Sequence, residues 1–240
     1  MALGGETTLA FPNQTPQPLA PGLWMMQGSW RNKFGRRMTV MRMADGRWAI
    51  HNSMRLTEVE LDWLRELGEV AAIIAPNVFH TSDAGWMKDR FPAAELYAPA
   101  NQLSRFRPSD GARALAEFRG DDVLTAIEVH GTRFAESVFI HRPSRTLVLT
   151  DLAFNMGDVF TGLERVLMRW NRVGGRFGPS RLFRYMFLQD RAVFVESFRR
   201  VLDEDFDRVI VNHGDVLETG GKVVLRSSFA EYFPELLASK

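Results

Sequence analysis

The chain of 240 residues contains no cysteine. Disulfide bonds, thiolate metal ligands and cysteine nucleophiles are therefore excluded, so a metal ion would need histidine, aspartate, glutamate or amide ligands. An excess of one charge is also missing, because 30 Lys and Arg oppose 29 Asp and Glu. Only a local patch can therefore attract nucleic acid or an anionic membrane.

Long apolar runs are missing as well. The first residues, MALGGETTLAFPNQTPQPLAP, have neither the basic start nor the continuous apolar core of a signal peptide, and no later run is long enough to span a bilayer. Gly-x-Ser-x-Gly and glycine-rich phosphate-binding motifs do not occur, which removes support for serine hydrolase or dinucleotide chemistry. We expect a cytoplasmic protein with a flexible lead over residues 1–19 and a single domain over 20–240.

The first half of the chain predicts strands followed by a βα alternation. LWMMQGSW and MTVMRMADGRWAIHN favour antiparallel strands, with a hairpin turn at Asp45 and Gly46. Thr57 and Glu60 form a capping box, so a helix should begin near Thr57. VAAIIAPN is an apolar run ended by Pro76, typical of a strand covered on both faces. We then expect a helix in AGWMKDRFP, a strand in AELYAP, and helical pieces in QLSRF and GARALAEF.

The second half repeats this order. Strands are favoured in LTAIEVHG and ESVFIHRPSRTLVLTD. Apolar residues at helical spacing then predict helices in VFTGLERVLMRWN and RAVFVESFRRVLDED. The chain closes with a predicted strand in DRVIVNHG and a predicted helix in KVVLRSSFAEYF. The order predicts two sheets face to face with helices outside. No sequence repeat supports an internal duplication.

Histidines are the main candidates for chemistry. The five are His51, His80, His130, His141 and His213, and four of them fall near predicted strand ends, where α/β folds gather functional side chains. Each alone is more typical of a structural histidine. Asp151 directly follows the apolar strand TLVLT, and His213 follows the strand VIVN in the same way.

The order of these residues resembles the metallo-β-lactamase superfamily over about residues 20 to 220. In that family a His-x-His-x-Asp-His motif follows an apolar strand, a bridging Asp follows a later strand, and a His-Gly pair follows a late strand. LVLTD and VIVNHG match the last two, at Asp151 and His213. The segment ESVFIHRPSRTLVLTDLAFN is similar to an uncharacterised branch of the superfamily, a domain of unknown function. The resemblance implies a four-layer αββα sandwich of two mixed sheets flanked by helices.

The first metal motif departs from the family pattern. When Gly85 is aligned with the second glycine that trails the motif, the ligand positions fall on Asn77, Phe79, Thr81 and Ser82, with His80 one residue away. The stretch HGTRFAES replaces the family's middle histidine and offers His130, Arg133 or Glu136. These departures imply an altered site rather than the family's two-metal centre.

We therefore expect a mononuclear site of His80, Asp151 and His213, with Glu136 as a further ligand or general base and His130 or Asn77 as weaker ligand candidates. Two imidazoles, one carboxylate and an open position suit a catalytic Zn²⁺ or Fe²⁺. Such a site would hydrolyse an ester, thioester or phosphoester of an unknown small molecule. The alternative is a scaffold that has lost its metal.

The segment between Gly162 and Arg191 is rich in arginine and aromatic residues. Its arginines include Arg165, Arg169, Arg172, Arg176, Arg181 and Arg184. One hypothesis is a non-catalytic binding protein that engages an acidic partner, membrane surface or nucleic acid through this segment. The favoured interpretation is an amphipathic helical pair that covers a sheet and points its arginines outward.

Overall fold

Two β-sheets pack face to face, with α-helices on both outer sides. The computed structural model describes residues 13–28 and 33–237. The first sheet contains, in spatial order, β1 (Gln17–Ala20), β2 (Leu23–Gln27), β3 (Arg37–Arg42), β4 (Trp48–His51), β5 (Val70–Ile74), β6 (Glu95–Ala98) and β7 (Arg113–Ala114). The second contains β8 (Leu124–Glu128), β9 (Ser137–His141), β10 (Thr146–Val148) and β11 (Arg208–Ile210), in the spatial order β11, β10, β9, β8. The helices are α1 (Glu58–Leu67), α2 (Ala84–Arg90), α3 (Gly162–Trp170), α4 (Arg191–Asp203) and α5 (Gly221–Ala230).

Both sheets are mixed, as predicted. β1 to β4 form an antiparallel meander, whereas β4 to β7 run parallel to one another. In the second sheet β10 and β11 are parallel, and β8, β9 and β10 are antiparallel neighbours. The predicted hairpin at Asp45 and Gly46 joins β3 to β4, where Gly46 adopts a φ of +88°. The αββα sandwich expected from the sequence is confirmed.

Neighbouring side chains along the central strands point to opposite faces of each sheet, and this alternation divides the interior into three apolar layers. In β5, Ile73 packs in the cluster that holds the buried side of α1, whereas Ile74 points into the core between the sheets. Phe139 of β9 enters that same central core, and its neighbour Ile140 packs in the cluster that holds residues of α4 and α5. Strands covered on both faces need nearly continuous apolar runs, which is why these segments lack the polar alternation of a surface strand.

The helix start at Thr57 is confirmed. Thr57 Oγ1 accepts a hydrogen bond from the Glu60 backbone N–H at 3.4 Å, and the Glu60 carboxylate accepts one from the Thr57 N–H at 2.7 Å. Glu60 also accepts a hydrogen bond from the Asn13 backbone N–H at 2.9 Å, which ties the first described residues to α1.

Two local predictions need correction. QLSRF lies in a 3-10 turn over Ala100–Arg105, and GARALAEF contributes β7 and the 3-10 turn Leu115–Glu117, because prolines and glycines keep these segments too short for α-helices. The lead expected over residues 1–19 extends too far, since Gln17–Ala20 is already a strand. Residues 1–12 of that lead lie outside the described residues.

In the part of the chain that is described, no helix is both long and apolar enough to cross a membrane.

His51 is a histidine of the central core rather than of a surface loop. It ends β4, is 1% exposed, and its ring lies edge-on to Phe139 at 5.2 Å between centroids. Neither ring nitrogen has a hydrogen-bond partner among the described residues. Burial, with a smaller contribution from the charge of His80, lowers the pKa of His51 to about 3.

This burial makes stability depend on pH. The unfolded chain takes up a proton at His51 below its ordinary pKa of 6.5, whereas the folded chain does not until about pH 3. Stability from this group is therefore present above pH 6.5 and is lost as the pH falls, by about 2 kcal/mol at pH 5. Urea unfolding at pH 7 and pH 5 should show this loss in the parent and a smaller loss in His51→Leu. The half-exposed His130→Asn control should keep the parent's pH dependence; equal pH dependence in parent and His51→Leu would contradict the assignment.

Candidate metal centre

Three strand ends meet at one edge of the sandwich. Val148 and Ile210 are paired partners in the parallel strands β10 and β11, so Asp151 and His213, each three residues further on, leave the sheet at the same edge. In the first sheet, β5 ends before Pro76, and the following loop carries His80. Because carboxyl ends of neighbouring parallel strands lie together, residues far apart in sequence share one site.

His80, Asp151 and His213 form a compact cluster. His80 Nε2 lies 2.9 Å from Asp151 Oδ2, and His213 Nε2 lies 3.4 Å from Asp151 Oδ1. One ligand atom from each of the three residues lies within 4.8 Å of the others. Their side chains are only 8%, 13% and 12% exposed, respectively. The structure thus brings together the three residues that the sequence pointed to as metal ligands.

His213 is oriented by backbone carbonyls. Its Nδ1 lies 2.6 Å from the Phe34 carbonyl oxygen and 2.9 Å from that of Gly35. Since carbonyl oxygens only accept hydrogen bonds, Nδ1 carries a proton, and Nε2 is the ring nitrogen left to bind a metal when the ring is neutral. A metal-binding histidine is typically anchored in this way. Burial lowers the pKa of His213, but the hydrogen bond and charge of Asp151 outweigh burial and raise it.

Asn212 lies between the two imidazoles. Its amide nitrogen is 3.1 Å from His80 Nε2 and 2.9 Å from His213 Nε2. Its amide oxygen accepts hydrogen bonds from the Arg37 backbone N–H at 2.9 Å and the Asn52 amide at 2.8 Å. These two donors fix which end of the Asn212 amide faces the histidines.

Arg37 links the site to the opposite sheet. Its buried guanidinium donates to the Val211 carbonyl at 2.5 Å and to the Gly214 carbonyl at 2.7 Å, on either side of His213. Burial lowers the pKa of Arg37 to about 10, although the negative charges of Asp215 and Glu218 act to raise it. The sequence analysis missed Arg37 and Asn212. Asn212 is adjacent to His213, but nothing in the sequence pattern marks Arg37 in β3.

Asp151 is held as a carboxylate. Burial alone would raise its pKa, but the charges and hydrogen bonds of His80 and His213 lower the pKa far below the usual range for aspartate. Asn77 donates its amide to Asp151 Oδ2 at 2.7 Å. The ionised form that a metal ligand requires is therefore stabilised by its neighbours.

Glu136 lies behind Asp151 rather than in front of it. The carboxylate is fully buried and accepts hydrogen bonds from the backbone N–H groups of Thr150 at 2.7 Å and Asp151 at 2.8 Å, and from the Asn77 amide at 3.2 Å. Burial, followed by the negative charge of Asp151, raises the pKa of Glu136 to about 7. These contacts engage both Glu136 oxygens in holding the Thr150–Asp151 turn, and the role of Glu136 as a ligand or general base stays a prediction.

The two weaker ligand candidates differ in position, because Asn77 contacts Asp151 and His130 is half-exposed at the surface. Asn77 turns its amide nitrogen to Asp151, and its oxygen accepts from the Phe79 backbone N–H at 2.9 Å. His130 has a side chain that is 47% exposed, and its nearest acid is Glu128 at 3.8 Å. His130 is not part of the cluster formed by His80, Asp151 and His213, whereas Asn77 contacts that cluster as a hydrogen-bond donor.

The cluster opens into a cleft of about 340 Å³. The cleft is lined by His80, Asp151, His213, Ser180 and the phenylalanines Phe34, Phe79, Phe134, Phe154, Phe183 and Phe187. The ring of Phe154 stacks on that of His213, with centroids 5.7 Å apart and planes 6° apart. The three polar side chains of the cluster therefore lie at the base of an aromatic wall.

The six arginines of the arginine-rich segment make contacts within the chain. Four arginines are paired with acids: Arg165 and Arg169 with Asp158, and Arg172 and Arg176 with Glu231. Arg181 lies over the ring of Trp170 at 5.2 Å, and Arg184 over that of Tyr185 at 5.6 Å. Two carboxylates shared by four arginines leave the segment with a net positive charge, so the hypothesis of an acidic partner stays a prediction. The expectation that α3 covers a sheet is also wrong, because α3 has no buried residue.

Solved structures with the same architecture are metallo-β-lactamase fold proteins. The DIM-1 metallo-β-lactamase aligns over 90% of this chain and 97% of its own, with 15% identity and a TM-score of 0.58. FIM-1 from Pseudomonas aeruginosa, solved in its mono-zinc form, aligns over 93% and 96%, with 13% identity and a TM-score of 0.58. A 1–254 fragment described as a diflavin flavoprotein from Nostoc aligns over 94% and 97%, with 12% identity and a TM-score of 0.61. No protein-family model and no curated protein sequence matches the chain. The chain therefore has the metallo-β-lactamase fold.

Proposed function

We propose that this protein is a hydrolase that uses one metal ion, Zn²⁺ or Fe²⁺, held by His80, Asp151 and His213. The observation that carries the proposal is the convergence of one ligand atom from each residue to within 4.8 Å at the base of a cleft. FIM-1, a protein of the same fold, is described in a mono-zinc form, which supports a single-metal arrangement for this chain. We further propose that the domain predicted over residues 20–240, extended to include β1 from Gln17, acts as one functional unit.

The donor set fits such an ion. Two imidazole nitrogens and one carboxylate oxygen are the protein ligands of many catalytic zinc sites and of the facial triad of iron enzymes. His213 has its second ring nitrogen anchored on carbonyl oxygens, as ligating histidines usually do. Asp151 is kept ionised by its neighbours, so binding a cation costs it no deprotonation.

The chain's own residues have separate tasks. A metal bound there would acidify water and polarise the bond to be cleaved. Asn212 holds the rings of His80 and His213 apart through its amide nitrogen. Glu136 and Asn77 hold the carboxylate of Asp151 in place. The aromatic wall gives the rest of the cleft an apolar surface and leaves room for a small-molecule ester, thioester or phosphoester.

Metal content tests the proposal directly. Protein purified without chelator should contain about one equivalent of zinc or iron by elemental analysis, and an Asp151→Ala, His213→Ala double variant should contain almost none. A matched control, His130→Ala with Asp205→Ala, removes one histidine and one aspartate from exposed positions and should keep the metal. Hydrolysis of p-nitrophenyl esters should follow metal content.

Two results would contradict the proposal. Equal metal content in the site variant and the surface control would show that the cluster does not hold the ion. A metal-loaded protein that hydrolyses no ester, thioester or phosphoester faster than the double variant would remove the hydrolase assignment.

A further inference from the structure

Aromatic rings line the cleft on both sides of the cluster formed by His80, Asp151 and His213. Phe34 meets His213 edge-on at 5.8 Å, and Phe154 stacks on the same ring. On the other side, Phe187 contacts Phe134 at 5.4 Å and Phe79 at 5.6 Å. Phe79 is 51% exposed, so an apolar surface runs from the cluster outward to the mouth of the cleft.

Cationic side chains are absent from this wall. Of the described residues that line the cleft, none is lysine or arginine, and the ionisable ones are His80, Asp151 and His213. A ligand with a phosphate, sulfonate or carboxylate on its body would lose hydration there without gaining a cationic partner. The apolar lining therefore disfavours ligands whose non-reacting part carries a negative charge.

We propose that the cleft binds an uncharged ester whose non-reacting part is a short acyl chain or an aromatic ring. This inference names the substrate class of the hydrolase proposed above and rests on that function. A volume of about 340 Å³ lies at the lower end of small-molecule pockets and accommodates a body of about eight to ten carbon atoms. In the reaction, the oxygen of water bonds to the carbonyl carbon, the bond to the alcohol oxygen breaks, and the departing alcohol takes a proton from that water.

Calorimetric titration of the full chain, purified without chelator, tests the ligand class without relying on turnover. The Asp151→Ala, His213→Ala variant is titrated in parallel to record binding when no ester is hydrolysed. Methyl hexanoate should bind at least tenfold more tightly than methyl propanoate, because each added methylene contributes up to about fourfold. It should also bind at least tenfold more tightly than hexanesulfonate, which has the same chain length and a weakly coordinating anion.

A pair of variants, one with a new charge at the mouth of the cleft and one with the same charge elsewhere on the surface, tests the apolar binding site. Phe79→Asp should weaken methyl hexanoate binding at least tenfold, whereas Val223→Asp, at a position that is 70% exposed on α5, should leave binding unchanged. With the metal-loaded protein, kcat/KM should rise from p-nitrophenyl acetate to p-nitrophenyl hexanoate. It should be lower for bis(p-nitrophenyl) phosphate than for either ester.

The outcomes separate the two proposals. Equal binding of hexanesulfonate and methyl hexanoate, or no effect of Phe79→Asp, would overturn the ligand class even if the protein holds its metal and hydrolyses esters. Tight methyl hexanoate binding by a metal-loaded protein that hydrolyses no ester would instead remove the hydrolase function and leave an apolar ligand site.

Discussion

Replacing Glu136 with alanine is expected to lower the free energy of unfolding by about 3–5 kcal/mol and to weaken zinc binding by about 10–100-fold. The carboxylate is the acceptor for three buried donors: the backbone N–H groups of Thr150 and Asp151 and the amide of Asn77. Alanine would leave all three without this partner in a site from which water is largely excluded. The turn that presents Asp151 would then lose its support.

Urea unfolding and zinc titration measure the two effects separately. Glu136→Gln keeps one acceptor oxygen and should lose about half as much stability as Glu136→Ala. Glu128→Ala serves as the surface control, since the Glu128 side chain is 41% exposed, and should change stability by less than about 0.5 kcal/mol. A loss below about 1 kcal/mol in Glu136→Ala would mean that the buried carboxylate does not stabilise the turn.

The second large effect is expected in the aromatic core beneath α4. Phe194 is fully buried and its ring lies 4.8 Å from Phe233, 5.2 Å from Phe183 and 5.3 Å from Phe198, between centroids. Phe194→Ala should lower the free energy of unfolding by about 3–5 kcal/mol, because the packed rings cannot close the space left by the side chain. Since Phe183 also lines the cleft, methyl hexanoate binding should weaken at the same time.

Two controls define this prediction. Phe194→Leu retains most of the apolar volume and should cost clearly less than alanine. Phe79→Ala removes a ring that is 51% exposed and should change stability by less than about 0.5 kcal/mol, although it borders the cleft. A small loss in Phe194→Ala would indicate that the core collapses around the missing ring.

The strand and helix order could be predicted from the sequence because its signals are local. The apolar run before Pro76 and the capping box at Thr57 each lie within a few residues. Asp151 and His213 each follow an apolar strand, and the resemblance to the metallo-β-lactamase superfamily predicted that they share a site. The structure brings them together because β10 and β11 are parallel neighbours. The helical signals in QLSRF and GARALAEF were weaker, and the prolines and glycine near them limit these pieces to 3-10 turns and the short strand β7.

The sequence alone therefore determined the architecture and the candidates His80, Asp151 and His213, whereas the tertiary structure decided the task of each neighbouring residue. Glu136 and Asn77 are 59 residues apart and meet only because β5 and β9 lie in facing sheets. Arg37 reaches the loop around His213 across more than 170 residues. His51 became a core residue because the second sheet covers the face of β4 that carries it. Such contacts depend on strand register and on how the layers pack, and neither is encoded in the local pattern of the segments that meet.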